Sequence, residues 1–168
     1  MATTNIFDTM TMERDHLELS LGDTLDVKGG ILLAVITILG ALTGALLTSP
    51  NLGRYSHIGQ LISLALLVLG CIFAIIVMLP REYLLPDLPG KYKQWIDELK
   101  EFYKDDPNRL ESETTNGMTR VANERIEINH KINAEKSYYL NLSFWPTLLA
   151  LAIDISTLAV LGMSRILS

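Results

Sequence analysis

The chain has 168 residues, a net charge of −5 and a single cysteine, Cys71. Its mean hydropathy of +0.27 comes from apolar residues gathered into blocks rather than dispersed at the spacing of a soluble core, which argues against an ordinary water-soluble domain. The acidic balance speaks against a general nucleic-acid-binding surface, and one cysteine excludes an intramolecular disulfide.

Residues 1–28 form a polar N-terminal segment carrying Asp8, Glu13, Asp15, Glu18, Asp23 and Asp26. It has neither the basic start nor the cleavage site of a removable leader, so it is expected to be retained. The first apolar block then runs from Gly29 to Thr48 and the second from Ile58 to Leu79, with a third from Phe144 to Met163. Each holds about 20 residues, which at about 1.5 Å per residue matches a hydrocarbon core of about 30 Å. The spacing therefore predicts an all-α membrane protein with three transmembrane helices, the first two forming a hairpin over 29–79. Small residues mark one face of each helix in that hairpin: Gly40 and Gly44 in the first, and Gly59, Ser63, Gly70 and Ala74 in the second. Ordinary packing of the two spans against each other explains both faces.

A polar region, 80–141, separates the second and third spans. Three prolines between Pro80 and Pro89 rule out a helix running on from span two. From Lys91 to Lys104, Tyr92, Trp95, Leu99 and Phe102 recur at steps of three and four, as on one helix face. Asp105-Asp106-Pro107-Asn108 breaks that pattern, and the stretch to Gly117 reads as a loop. A second helix is expected from near Gly117, with Met118, Val121, Ile128, Ile132, Tyr139 and Leu142 as its apolar seam and Arg125 and Glu135 interrupting it. It leads directly into the third span, 142–168, with Pro146 in the first turn of that span or at a kink.

The third span contains a carboxylate, Asp154. A charge at the bilayer centre costs at least about 2.5–3.5 kcal/mol, so such a residue faces protein or water rather than lipid. Helical spacing places Thr147, Ala150, Asp154, Thr157, Leu161 and Ser164 on one stripe. Two readings remain open: the stripe lines a water-filled pore in an oligomer, or Asp154 forms a hydrogen bond across a dry helix interface.

Orientation follows from the cations. Twelve of the 14 Lys and Arg residues lie in the N-terminal segment and the 80–141 region, and only Arg54 and Arg165 lie on the other side. The N-terminus is therefore expected in the cytoplasm and the C-terminus outside. The inventory for catalysis is thin: His16, His57 and His130 are scattered, and no hydrolase, P-loop or metal-protease motif occurs. The Glu127/His130 spacing reads as a solvated helix face. No enzyme activity, metal or cofactor is expected.

Three segments resemble a known family. They are Leu25-Asp26-Val27-Lys28-Gly29-Gly30-Ile31-Leu32-Leu33 before span one, Leu79-Pro80-Arg81 closing span two, and Asn129-His130-Lys131-Ile132-Asn133-Ala134-Glu135-Lys136 before span three. Together they look like the membrane effectors of bacterial nucleotide-signalling antiphage systems, the Pycsar-type and SMODS-associated transmembrane effectors. The D-x-K-x-x-x-L-L pattern at Asp26 to Leu33 is the most specific part. The resemblance implies a bacterial inner-membrane protein, regulated by a nucleotide or oligonucleotide from a partner nucleotidyltransferase or cyclase, that permeabilises the membrane during infection. Lys28, Arg81, Arg120, Arg125, Lys131 and Lys136 are then the candidate anion partners, with Asp26 expected to pair with Arg81 or Arg125. The leading expectation is a homo-oligomeric ion channel or permeabilising effector in the lipid bilayer; the alternative is a non-conducting membrane anchor that recruits a cytoplasmic partner.

Overall fold

The structure, a computed structural model, describes residues 2–50, 53–85 and 89–166, with side chains described outside 2–8, 89–90 and 164–166. Among the described residues four helices follow one another: α1 (Ala2–Leu47), α2 (Arg54–Met78), α3 (Pro89–Phe102) and α4 (Pro107–Ile166). Among the described residues there is no strand, and three helices are long and apolar enough to cross a membrane. The protein is an all-α, multi-pass membrane protein.

The structure adds one helix where the sequence reading assigns no secondary structure and differs from it at one boundary. The N-terminal segment is helical throughout its described length, and α1 continues without a break into span one. The stretch after Asp106, expected as a loop to Gly117, is instead the first turns of the 60-residue α4. Asp106 caps that helix: its side-chain Oδ1 accepts from the Arg109 N–H at 3.1 Å and its carbonyl from the Leu110 N–H at 3.1 Å. Pro107 then occupies the first helical position, where a missing N–H costs nothing, so the proline starts a helix rather than ending one.

The chain divides into two compact units, one of Met1–Gly22 with Arg81–Asn133 and one of Asp23–Pro80 with Ala134–Ser168. In the first unit α4 buries Ala122, Ile126, Asn129 and Asn133, and α1 buries Thr11, Asp15, Glu18 and Gly22. In the second unit α4 buries Lys136, Ser143, Thr147, Ala150, Asp154 and Thr157, α1 buries Leu25, Gly29, Ile36, Leu39, Thr43 and Leu46, and α2 buries Gln60, Ser63, Leu67, Gly70, Ala74 and Val77. Steps of three and four separate these positions on every helix, with one seven-residue step each in α1 and α4, which is the 3.5-residue period of helices packed knobs-into-holes. The apolar seam expected on α4 is displaced from this one: Ile128 is exposed, and Val121, Ile132, Tyr139 and Leu142 are half-buried. Buried polar groups claim the adjacent face instead.

The small-residue faces are used unequally. A Cβ added at Gly40 or Gly44 meets nothing within 4 Å, so span one does not use this face for close packing in the protomer. At Gly70 a Cβ would lie 2.8 Å from Thr147 Oγ1 and 3.3 Å from the Ser143 carbonyl. Glycine at that position lets α2 and α4 approach closely.

Candidate functional site

In the second unit a polar seam runs along the interior of the three-helix bundle. The hydroxyl of Ser143 donates to the Gly70 carbonyl at 2.7 Å, across the contact that the missing Cβ opens. One turn further along, Thr147 donates to the Ser143 carbonyl at 2.8 Å. Asp154 is fully buried and accepts two hydroxyl hydrogen bonds, from Thr43 of α1 at 2.8 Å and from Ser63 of α2 at 2.9 Å. Beyond it, Gln60 Nε2 donates to Thr157 Oγ1 at 2.8 Å, while Gln60 Oε1 is buried with no hydrogen-bond partner among the described residues. At the opposite end Lys136, 1% exposed, forms an ion pair with Asp26. From position 136 to position 157 the seam covers 21 residue steps, about 32 Å at about 1.5 Å per residue, close to the thickness of a hydrocarbon core.

Of the stripe read from the sequence, Thr147, Ala150, Asp154 and Thr157 thus lie inside the protomer's own bundle; Leu161 is half-buried and Ser164 lies outside the described side chains. Of the hydrogen-bonding partners, Ser63 lies on the small-residue face read from the sequence, while Thr43 and Gln60 belong to no feature read there. The available signal was a single polar side chain at seam spacing within an apolar run.

The candidate anion partners are scattered. In the first unit Arg125 is held by Asp15 at 2.8 Å through Nη2 and donates through Nη1 to the Tyr92 hydroxyl at 2.7 Å. Burial opposes the guanidinium charge, but the hydrogen bonds to Asp15 and Tyr92 and the charge of Asp15 outweigh it, and the group's pKa is raised. Because the raised pKa lies on the alkaline side, this contribution to stability is present below the unfolded-state value and is lost only as pH rises through the folded value. Arg81 is half-buried, and its Nε has no hydrogen-bond partner among the described residues. Arg120, Lys131 and Lys28 are exposed.

The expected pairing of Asp26 with Arg81 or Arg125 is corrected: Asp26 takes Lys136, and Arg125 takes Asp15. Sequence spacing could not show this because both pairs join residues 110 positions apart.

Beside the apolar Ala122 and Ile126, the first unit buries further polar contacts. Asn133 donates to the Glu18 carbonyl at 2.7 Å and to its carboxylate at 2.9 Å, and accepts from the Tyr83 hydroxyl at 2.8 Å. The Asn129 amide pairs both ways with the Leu84 backbone, at 3.0 and 3.1 Å. These bonds fix the non-helical segment after span two onto α4. A Cβ at Gly22 would lie 2.6 Å from the Tyr83 hydroxyl, so this glycine makes room for the arrangement. His130 Nδ1 lies 3.0 Å from Glu18 Oε1. Among the described residues no three His, Cys, Asp or Glu side chains gather where they could hold a metal ion.

Comparison with known proteins gives one match. The sequence model of a family described as the Pycsar effector protein domain matches residues 10–164. No curated protein and no solved structure matches the chain.

Proposed function

Since the chain belongs to the Pycsar effector family and is thereby a membrane effector in defence, we propose that it is a homo-oligomeric, nucleotide-regulated channel or permeabilising protein whose buried polar seam opens to water on activation. The carrying observation is the seam itself: hydroxyl, amide and carboxylate groups extend over a bilayer-length stretch of a bundle whose outer surface is apolar, with Leu149, Ile155, Leu158 and Val160 exposed on α4. A bundle needing only to anchor the chain could pack on small and apolar residues alone.

The energetics are compatible with switching. Interhelical hydrogen bonds in membranes contribute about 0.6 kcal/mol each on average, so the four contacts Thr43–Asp154, Ser63–Asp154, Gln60–Thr157 and Ser143–Gly70 hold the seam by roughly 2–3 kcal/mol. A ligand that favours the open arrangement by about 100-fold supplies a comparable free energy. Segments 1–28 and 80–141 form the cytoplasmic, signal-receiving part in this reading, in the inner membrane with the C-terminus outside, consistent with the distribution of Lys and Arg. Exposed Ile128, with half-buried Val121 and Ile132 on the same helix face, offers an apolar contact for further copies.

The alternative, a non-conducting anchor or assembly subunit, draws on the fact that both donors to Asp154 belong to the same protomer. Membrane potential separates the two. Cells expressing the protein should depolarise when the activating nucleotide is supplied and hold their potential without it. Unchanged potential, with nucleotide present and protein in the membrane, would favour the anchor.

A further inference from the structure

Within the first unit, α3 and α4 line an open cleft of about 180 Å³ that includes Lys91, Tyr92, Trp95, Gly117 and Arg120. Its shape depends on Gly117. A Cβ there would lie 2.5 Å from Trp95 Cη2 and 2.6 Å from Cζ2, so only a residue without a side chain lets the indole lie directly against the α4 backbone. Helix α4 thus carries a glycine in its interior, at a cost of roughly 0.5–1 kcal/mol relative to alanine. The indole and the Tyr92 ring line the cavity together with the Lys91 ammonium and the exposed Arg120 guanidinium.

Aromatic rings beside cations are the combination that recognises a nucleotide: the base stacks on the rings, and the guanidinium makes paired, charge-assisted hydrogen bonds to phosphate. We propose that this cavity binds a single nucleotide unit of the regulating signal, its base against Trp95 and Tyr92 and its phosphate at Arg120 and Lys91; this rests on the nucleotide-regulated reading above. The volume suits one heterocyclic base and leaves the phosphate at the rim, where the two cations are exposed. Tyr92 also links the site to α1. The same side chain lines a second cavity of 120 Å³ that reaches Thr11 and Met12, and its hydroxyl accepts from Arg125, which holds Asp15. A base that shifts the Tyr92 ring acts on this connection directly.

The test uses the full-length protein in lipid nanodiscs and the 3′,5′-cyclic mononucleotides of adenosine, guanosine, cytidine and uridine, with binding measured by equilibrium dialysis. At least one should bind saturably, and Trp95→Leu and Arg120→Glu should each weaken it at least tenfold while assembly size and helical content persist. In a Trp145→Phe background, which leaves Trp95 as the sole tryptophan, the same ligand should quench the fluorescence. Should Trp95→Leu disturb folding, Arg120→Glu decides, because that side chain is exposed. Wild-type affinity in Arg120→Glu would place the nucleotide elsewhere and overturn this site while leaving nucleotide regulation intact. Failure of all four to bind the wild type would also overturn the site, and the membrane-potential assay then decides separately whether any nucleotide signal regulates the protein.

Discussion

Replacing Asp154 with leucine is expected to abolish depolarisation while leaving a folded, membrane-inserted and assembled protein. The two hydroxyls that donate to the carboxylate both have a second acceptor within their surroundings: Thr43 also reaches the Leu39 carbonyl at 2.9 Å, and Ser63 the Ala150 carbonyl at 3.3 Å. The substitution therefore strands no donor, and the lost interhelical bonds cost about 1–2 kcal/mol. Against this, removing a carboxylate from mid-span makes insertion easier by roughly 2.5–3.5 kcal/mol. Stability and function thus move independently. What leucine cannot do is hold water or attract a cation at a constriction. Asp154→Asn keeps the size and an acceptor, so flux should persist with reduced cation preference, measured on purified protein in liposomes. Depolarisation by Asp154→Leu at the wild-type level would remove this residue from the permeation path.

The second large effect concerns Asp26 and Lys136, whose side chains are unequally exposed at 44% and 1%. This asymmetry predicts an asymmetric mutational result. Asp26→Ala removes a charge-assisted hydrogen bond from a buried ammonium that keeps further polar contacts, and should destabilise the protein by roughly 1.5–3 kcal/mol. Lys136→Met removes the buried charge, keeps a long unbranched side chain, and leaves Asp26 accessible to water, so it should cost far less. Combining the two should recover most of the stability lost in Asp26→Ala. Thermal unfolding in detergent, followed by helical circular dichroism, checks this. Equal destabilisation by the two single substitutions would mean that the pair does not govern packing at this point. The result bears on function because Asp26 and Lys136 belong to the segments that carry the family resemblance, and a structural ion pair must be separated from a ligand contact before either is assigned to signalling.

The three spans were legible because length and apolar content are direct consequences of bilayer thickness and helical geometry; the face of α3 was legible at Tyr92, Trp95 and Leu99, which are half-buried, but not at Phe102, which is 79% exposed. The seam was legible only in part: the stripe through Thr147, Ala150, Asp154 and Thr157 and the face carrying Ser63 and Gly70 show in the sequence, whereas Thr43, Gln60 and Ser143 do not, and the reason is physical. In water a helix hides its apolar residues, whereas in lipid it turns them outward and hides small and polar ones. Outside the spans a different cause acts: apolar periodicity tracks Val121, Ile128 and Ile132, while the buried positions are Ala122, Ile126, Asn129 and Asn133, because polar partners distant in sequence, Glu18, Tyr83 and Leu84, take Asn129 and Asn133. Farther along, Ser143, Thr147 and Thr157 mark the interior, while Leu148, Leu149 and Leu158 point away from it. On α4 Asp154 announced the buried side, because its desolvation cost is too large to leave it facing lipid. Pro107 misled for a different reason: a proline that ends one helix can equally open the next when an aspartate precedes it. The Trp95 cavity was hidden because Trp95 and Gly117 lie 22 residues apart, and their fit shows only once α3 and α4 are packed.

Water reaching the seam on activation is the central claim, and cysteine accessibility tests it most directly. Ala150 is fully buried between Thr147 and Asp154 on α4, and a cysteine there adds little volume. In a Cys71→Ser background, Ala150→Cys is treated with a membrane-impermeant cationic thiol reagent, with and without the activating nucleotide, alongside the lipid-facing control Leu149→Cys. The account predicts that Cys at 150 is protected at rest and modified when the nucleotide is present and the membrane depolarises, while the control stays unmodified in both states. Depolarisation with Cys at 150 still protected would contradict it, because the ions would then be crossing by a path that does not include the seam.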